Sequence, residues 1–144
     1  MCIRDSVGSP GRDDAEIRAH AASVSPRIHM LGYVSRADLD SLYRSADALV
    51  FPSRYEGFGL PILEAQAYGL PVICSNVTAI PEVAGDGALL IDPLNPGDWV
   101  DAMIERFSPV ERAKLVAAGF ENARRYSPEA TAAQQQRVYA RAGA

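Results

Sequence analysis

Apolar and polar positions alternate in blocks along this chain, and the period of the blocks changes from one to the next. "RIHML" (27–31) reads as a short strand, and "SRADLDSLYRSA" (35–46) follows with Leu39, Leu42 and Tyr43 at helical spacing. Ser35 with Asp38 three residues later marks the start of that helix. "ALVF" (48–51) is a continuous apolar strand stopped by Pro52, and a glycine-punctuated loop comes next. A helix is predicted over 61–68, with Gly69 suited to its C-terminal cap and Pro71 preventing its continuation. "VICS" (72–75) and "ALLI" (88–91) are the next strands, with a short helical turn over 81–84 between them. Three helices close the chain. "GDWVDAMIERF" (97–107) carries an apolar stripe at 99, 100, 103, 104 and 107. Ser108-Pro109 with Glu111 caps a helix running to residue 125, and Ser127-Pro128 opens the last one.

Short, unalternating apolar strands separated by helices predict a parallel sheet covered on both faces. The expected fold is therefore α/β, a doubly wound parallel sheet with helices on both faces. Ligands of such sheets sit beyond the carboxyl ends of the strands. The strand over 48–51 runs straight into the loop holding Glu56, so a ligand is expected at that loop. The amino end fits less well. "VGSPG" (7–11) resembles a strand entering a loop and "AEIRAHAASV" (15–24) a helix, yet "CIRDS" offers only Ile3 to a core. Residues 1–6 are accordingly expected to be foreign to the fold, and 7–144 to be a domain that begins partway through its sheet.

Composition narrows the function classes. A chain of 144 residues fits one domain, and at that size buries roughly 68–70% of its unfolded surface. Net charge is −4, with no basic cluster, which argues against nucleic acid as a partner. A ligand phosphate would need a local device rather than the field of the whole protein. Cys2 and Cys74 have no metal-ligand spacing and read as free thiols. They point to a reducing, cytoplasmic compartment, with attachment at the inner membrane face left open. No run approaches the roughly 20 apolar residues of a membrane span, and "MCIRDS" lacks the apolar block of a signal peptide.

The stretch "RYEGFGLPILEAQAYG" (54–69) carries the chemistry. Pro61 is a favoured first helical residue, since its missing N–H has no intrahelical use. The free donors are then the amides of Phe58, Gly59 and Leu60 and those of the first turn after Pro61. A helix start of this kind suits an anion. Gly57 and Gly59 let backbone approach a ligand without an intervening Cβ. Glu64 is expected in the first turn, leaning back toward the helix start. A carboxylate only accepts hydrogen bonds, so Glu64 and Glu56 suit sugar hydroxyls rather than phosphate. Two acids bracketing an anion cradle describe a ligand with hydroxyls on both sides of a diphosphate, such as a nucleotide sugar. Each acid also has a plainer reading, Glu64 as a complement to the helix dipole and Glu56 as a solvated loop acid.

"EGFGLPILE" (56–64) has the form E-x7-E and resembles the signature of retaining glycosyltransferases of GT-B fold, family 4 (group 1). The resemblance runs from about Val7 to the end and is densest over 29–93. "SNVTAIPEVAGDGALLIDP" (75–93) is most similar to mannosyltransferase-type members. The resemblance implies that Glu56 contacts the donor sugar as the catalytic-site acid and that Glu64 binds the nucleotide ribose. It implies that the amides of Gly57, Phe58, Gly59 and Leu60 meet sugar and phosphate, and that Tyr33 and Val34 line the base. It implies no metal and no cofactor beyond the nucleoside-diphosphate sugar substrate, with GDP-mannose the first expectation and UDP-glucose the second. The acceptor, whether glycan, lipid or small molecule, is unspecified. Family members place a basic pair on an earlier strand, and a separate N-terminal domain binds the acceptor. This sequence contains neither, so it resembles part of a donor-binding domain that would be inactive alone. Alternatives are a non-catalytic nucleotide-sugar sensor or interaction module, and a GT-B sugar-nucleotide epimerase.

Other signals carry less. "DLD" (38–40) matches a short metal-binding motif, but on a helix residues i and i+2 do not share a face. His20 and His29 have no evident acid–base partner and receive no role. There is no phosphate-binding P-loop, and "GFGLPI" lacks the third glycine of the dinucleotide fingerprint. "GDG" (85–87) reads as a turn before the strand over 88–91; Glu82 reads either as a helix-turn cap or as a supporting partner in the cleft, the cap being preferred.

Overall fold

In a computed structural model of the chain, which describes residues 4–104 and 108–143, every strand runs parallel to its neighbour. The chain divides into two units, Met1–Leu42 and Tyr43–Ala144. In the first, β1 (Arg4–Val7) pairs with β2 (Ile28–Gly32) through the intervening α1 (Asp14–Val24). Helix α2 (Arg36–Ser45) begins in this unit and ends in the second. β2 alternates half-buried and exposed residues, as a strand with one covered face does. Arg18 ties α1 to β2, donating 3.0 Å to the Met30 carbonyl while pairing with Asp14 at 2.6 Å. All four residues of β1 are exposed, and its first three lie within the segment expected to be foreign. Met1 to Ile3, including Cys2, lie outside the described residues. His29 has the partner that the sequence did not reveal: its Nδ1 lies 2.9 Å from Oδ1 of Asp5 on the paired strand. Both groups are partly solvated, so the pair contributes little.

The second unit holds β3 (Leu49–Phe51), α3 (Leu60–Ala67), β4 (Val72–Ser75), α4 (Ile80–Ala84), a 3₁₀ turn (Gly85–Gly87), β5 (Ala88–Ile91), α5 (Pro96–Ile104), α6 (Pro109–Arg125) and α7 (Pro128–Ala142). Its sheet has the order β3-β4-β5, with Leu49 opposite Val72 and Val72 opposite Ala88. β4 is central, and all four of its residues are buried. Successive side chains of a strand point to opposite faces, so both faces of β4 are covered. On one face Ile73 packs with Ile91, Trp99 and Ala102, which seats α5 on the sheet. The indole Nε1 of Trp99 donates 2.9 Å to the Asp92 carbonyl, so burying the ring leaves no orphan donor. Helices α3 and α4 also pack on β4.

The α/β class, parallel strands flanked by helices, agrees with the sequence. The hydrogen bonding differs in one respect: it falls into a two-stranded and a three-stranded sheet rather than one continuous sheet. β3 has only three residues, ended by Pro52, which cannot donate to a ladder. The serine caps form as read. Ser108 Oγ accepts from the Glu111 amide at 3.2 Å, and Ser127 Oγ from the Ala130 amide at 3.1 Å. Gly69 ends α3 with φ +69°, a conformation that favours glycine. The predicted end of α5, residues 105–107, lies outside the described residues. Among the described residues no helix is long and apolar enough to cross a membrane.

Candidate functional site at the carboxyl edge of the second sheet

Parallel pairing of β3 with β4 puts the carboxyl ends of both strands at one edge, with Phe51 opposite Cys74. The loops that leave them, 52–59 and 76–79, therefore emerge side by side. They are joined there: the Glu56 amide donates to Oγ1 of Thr78 at 3.2 Å.

Loop 52–59 ends at Gly59, the residue that caps α3. Gly59 has φ +99° and ψ 48°, is buried, and makes no side-chain cap bond. Its role is conformational: a Cβ there would lie 3.3 Å from Cδ1 of Ile62. Gly57 is the other kind of glycine, exposed, with nothing within 4 Å of a built Cβ. The two glycines expected to act alike thus differ: Gly59 is required by its backbone conformation, whereas Gly57 lies in open space. Among the described residues no hydrogen bond engages the amides of Gly57, Phe58, Gly59 or Leu60. Phe58 is pinned from behind by Tyr126, whose ring meets it edge-on at 5.8 Å between centroids. Leu60 is exposed.

Glu56 is half-buried, and Oε1 of its carboxylate accepts from the Ser53 hydroxyl at 2.8 Å. Glu64 is half-buried as well. It is the fifth residue of α3, because the helix starts at Leu60, one residue before the predicted start. Glu64 is therefore outside the first turn, which weakens the helix-dipole reading of it. Its Oε2 accepts 3.0 Å from the hydroxyl of Tyr43, a buried residue at the end of α2. The Tyr43 ring is stacked on Tyr68 at 5.5 Å, and the Arg44 guanidinium lies 4.8 Å over the Tyr68 ring. Tyr33 and Val34 follow β2 in the first unit. Tyr33 is 82% exposed and Val34 half-buried.

The chain matches the family model of the glycosyl transferases group 1 over residues 6–132. It belongs to that family. Among relatives of this group 1 chain, O-antigen chain mannosyltransferase B of Escherichia coli is 57% identical over 77 residues, 54% of this chain and 20% of that protein. A D-inositol 3-phosphate glycosyltransferase of Corynebacterium glutamicum (strain R) is 37% identical over 124 residues, 84% of this chain and 30% of that protein. Sucrose-phosphate synthase from Thermosynechococcus elongatus superposes with a TM-score of 0.81 at 27% identity, covering 95% of this chain and 37% of that one. The chain thus spans less than a third of the length of either curated relative.

Ser53, Thr78 and Tyr43 are the partners of the two candidate acids that sequence reading missed. Ser53 lies three residues before Glu56, a spacing that offered a signal. Thr78 and Tyr43 are remote in sequence and gave none. The acids of the "DLD" motif are engaged elsewhere. Asp38 accepts from Ser35 Oγ at 2.7 Å, and Asp40 pairs with Arg36 at 2.9 Å. Glu82 sits exposed in the first turn of α4. Cys74 is fully buried in β4, and burial pushes its thiol up to about 12, so it is inert at neutral pH. A cavity of about 310 Å³ in the first unit is lined by Ser9, Gly11, Arg12, Asp14, Arg18 and Met30 among others, and Arg18 is already held by two of its neighbours.

Proposed function

We propose that this chain is the donor-binding part of a retaining, metal-independent glycosyltransferase of family 4. The complete enzyme transfers a hexose from a nucleoside-diphosphate sugar to an acceptor hydroxyl. One observation carries the reading: the amides of Gly57, Phe58, Gly59 and Leu60 are unengaged at the start of α3, between two acids that are each oriented by a hydroxyl. An array of N–H groups at a helix start suits a diphosphate. When the sugar–phosphate bond breaks, negative charge grows on the departing diphosphate, and preoriented amides stabilise it as it forms. Glu56 accepts from hydroxyls of the donor hexose, and Glu64 from those of the ribose.

Mannose is the favoured sugar, supported by the Escherichia coli relative's name, and glucose on uridine diphosphate comes second. The acceptor is a glycan, a lipid or a small molecule held by an N-terminal domain in cis. Such a domain also supplies groups for turnover, so the chain by itself binds donor and does not transfer. Titration calorimetry of the chain with GDP-mannose and UDP-glucose tests this. Binding to one of them that persists in EDTA is expected. Glu64→Ala weakens the affinity for the nucleotide, and Glu56→Ala weakens that for the sugar nucleotide but not for the bare diphosphate. Unaltered affinity in both variants would remove the two acids from the site, and turnover by the chain alone would refute its dependence on a second domain.

A further inference from the structure

Thr78 is the only non-glycine with positive φ among the described residues, at +55°. A β-branched residue in the left-handed region is a conformational outlier, and such outliers persist only where the surroundings over-determine them. Here the backbone on both sides is fixed. The Asn76 amide donates to the Ile91 carbonyl of β5 at 2.9 Å, the Ile80 amide to Val77 at 3.2 Å, and the Val83 amide to Ala79 at 3.1 Å. Glycine would take this conformation without strain. Threonine adds a hydroxyl, and that hydroxyl accepts the Glu56 amide at 3.2 Å. Glu56 is thus gripped twice, its backbone by Thr78 from the β4 loop and its carboxylate by Ser53 from its own loop.

We infer that Thr78 is a positioning residue for the donor sugar: from a strained turn on the neighbouring strand, its hydroxyl fixes the loop that presents the Glu56 carboxylate. Thr78 does not itself meet the reacting atoms in this scheme. It acts through Glu56, and so the inference rests on the donor-binding reading given above. The loop 52–59 ends in a left-handed glycine and carries exposed residues at 54, 55, 57 and 58; it meets other elements through the Phe58–Tyr126 ring contact and the Thr78 bond. One cross-loop hydrogen bond is then a large share of what fixes Glu56. The nucleotide end of the ligand is held by Glu64 and the amides of the α3 start, and does not depend on Thr78.

The test is calorimetry on the chain with GDP-mannose against GDP, and UDP-glucose against UDP, with four variants. Thr78→Val keeps the β-branched shape and removes the acceptor. It is expected to weaken sugar-nucleotide binding by about tenfold while leaving the bare diphosphate within about twofold, the scale of one lost hydrogen bond. Thr78→Ser restores the affinity. Thr78→Gly relieves the backbone and so melts no lower than the parent, yet shows the same sugar-dependent loss, which a merely structural role would not produce. Glu56→Ala is the reference. If it lowers sugar-nucleotide affinity and Thr78→Val does not, the positioning role is overturned and the donor reading stands. Equal loss of both affinities in Thr78→Val without rescue by serine also overturns it. If Glu56→Ala changes nothing, or the parent binds neither pair, the donor reading fails and this inference fails with it.

Discussion

The hydroxyl of Tyr43 donates 3.0 Å to Oε2 of Glu64, joining the end of α2 to the middle of α3 across 21 positions of sequence. Tyr43 is itself locked, 7% exposed and stacked on Tyr68, so the bond orients the carboxylate rather than following it. Tyr43→Phe keeps the ring stack and removes only the donor. The net worth of such a bond is about 1 kcal/mol, so affinity for GDP or UDP should fall about fivefold, less than in Glu64→Ala. Calorimetry reads both. An unchanged affinity in Tyr43→Phe beside a large loss in Glu64→Ala would show that the tyrosine does not orient the acid.

The two glycines of the loop separate stability from binding. Gly59 has φ +99° and its Cβ would press on Ile62 at 3.3 Å, so Gly59→Ala should cost about 1–2 kcal/mol in urea unfolding. Gly57 is in open space, and Gly57→Ala should stay within about 0.5 kcal/mol of the parent. Its methyl would instead obstruct a ligand lying on the backbone, so diphosphate affinity should fall while stability holds. A Gly57→Ala chain that unfolds early, or binds as the parent does, contradicts this division.

These two glycines also mark what was legible in the sequence. Periodicity and serine caps located the strands over 72–75 and 88–91 and the starts of α6 and α7, because those signals are local. The order of chemistry around Glu56 was local too, and the loop that carries it does leave the carboxyl end of a strand. Glycine itself does not say whether it serves conformation or access, since that depends on what surrounds the missing Cβ. The partners Tyr43 and Thr78 were invisible for a related reason: each reaches its acid from another element, and one sequence carries no record of pairing. The position of Glu64 slipped out of the first turn because α3 starts a residue before Pro61, with proline second rather than first.

Burial raises the Cys74 thiol from an ordinary 9.0 to about 12. The unfolded chain therefore loses this proton first, and between pH 9 and 12 it binds fewer protons than the native state. Stability from this group is complete below pH 9 and falls above it, by about 1.4 kcal/mol per pH unit until the native thiol ionises. Cys74→Ala should lose some stability at neutral pH through the cavity it leaves, and should show an alkaline slope shallower by one proton. Urea midpoints at pH 8, 9.5 and 10.5 for both chains check it. Parallel alkaline slopes would mean that the native thiol ionises near its ordinary value.

The packing of α6 on α3 turns on one amide. Asn122 is buried, and its Nδ2 donates to Oε1 of Gln66 at 2.8 Å, to the Val83 carbonyl at 2.8 Å and to the Ala84 carbonyl at 3.2 Å. Gln66 in turn donates 2.8 Å to the same Ala84 carbonyl. Beside them Gly87 and Gly119 touch so closely that a Cβ on Gly87 would fall 2.6 Å from the Gly119 Cα, so the helix cannot retreat around a changed side chain. Asn122→Asp is isosteric, yet it replaces the donor by a carboxylate facing three acceptors. It should cost about 3–5 kcal/mol at pH 7, more than Asn122→Ala, because an unpaired buried charge costs more than a lost amide. The new carboxyl is held above its unfolded value near 3.9, since burial and the three acceptors disfavour its charged form. Its protonated form is then the stable one: the deficit relative to the parent is smallest below pH 4, grows as pH rises from there toward the folded value, and levels off above it. Denaturation midpoints of the three chains from pH 4 to 7 decide the matter. A variant Asn122→Asp that matches the parent at pH 7, or one that outlasts Asn122→Ala there, would mean that the amide donor does not hold α6 against α3.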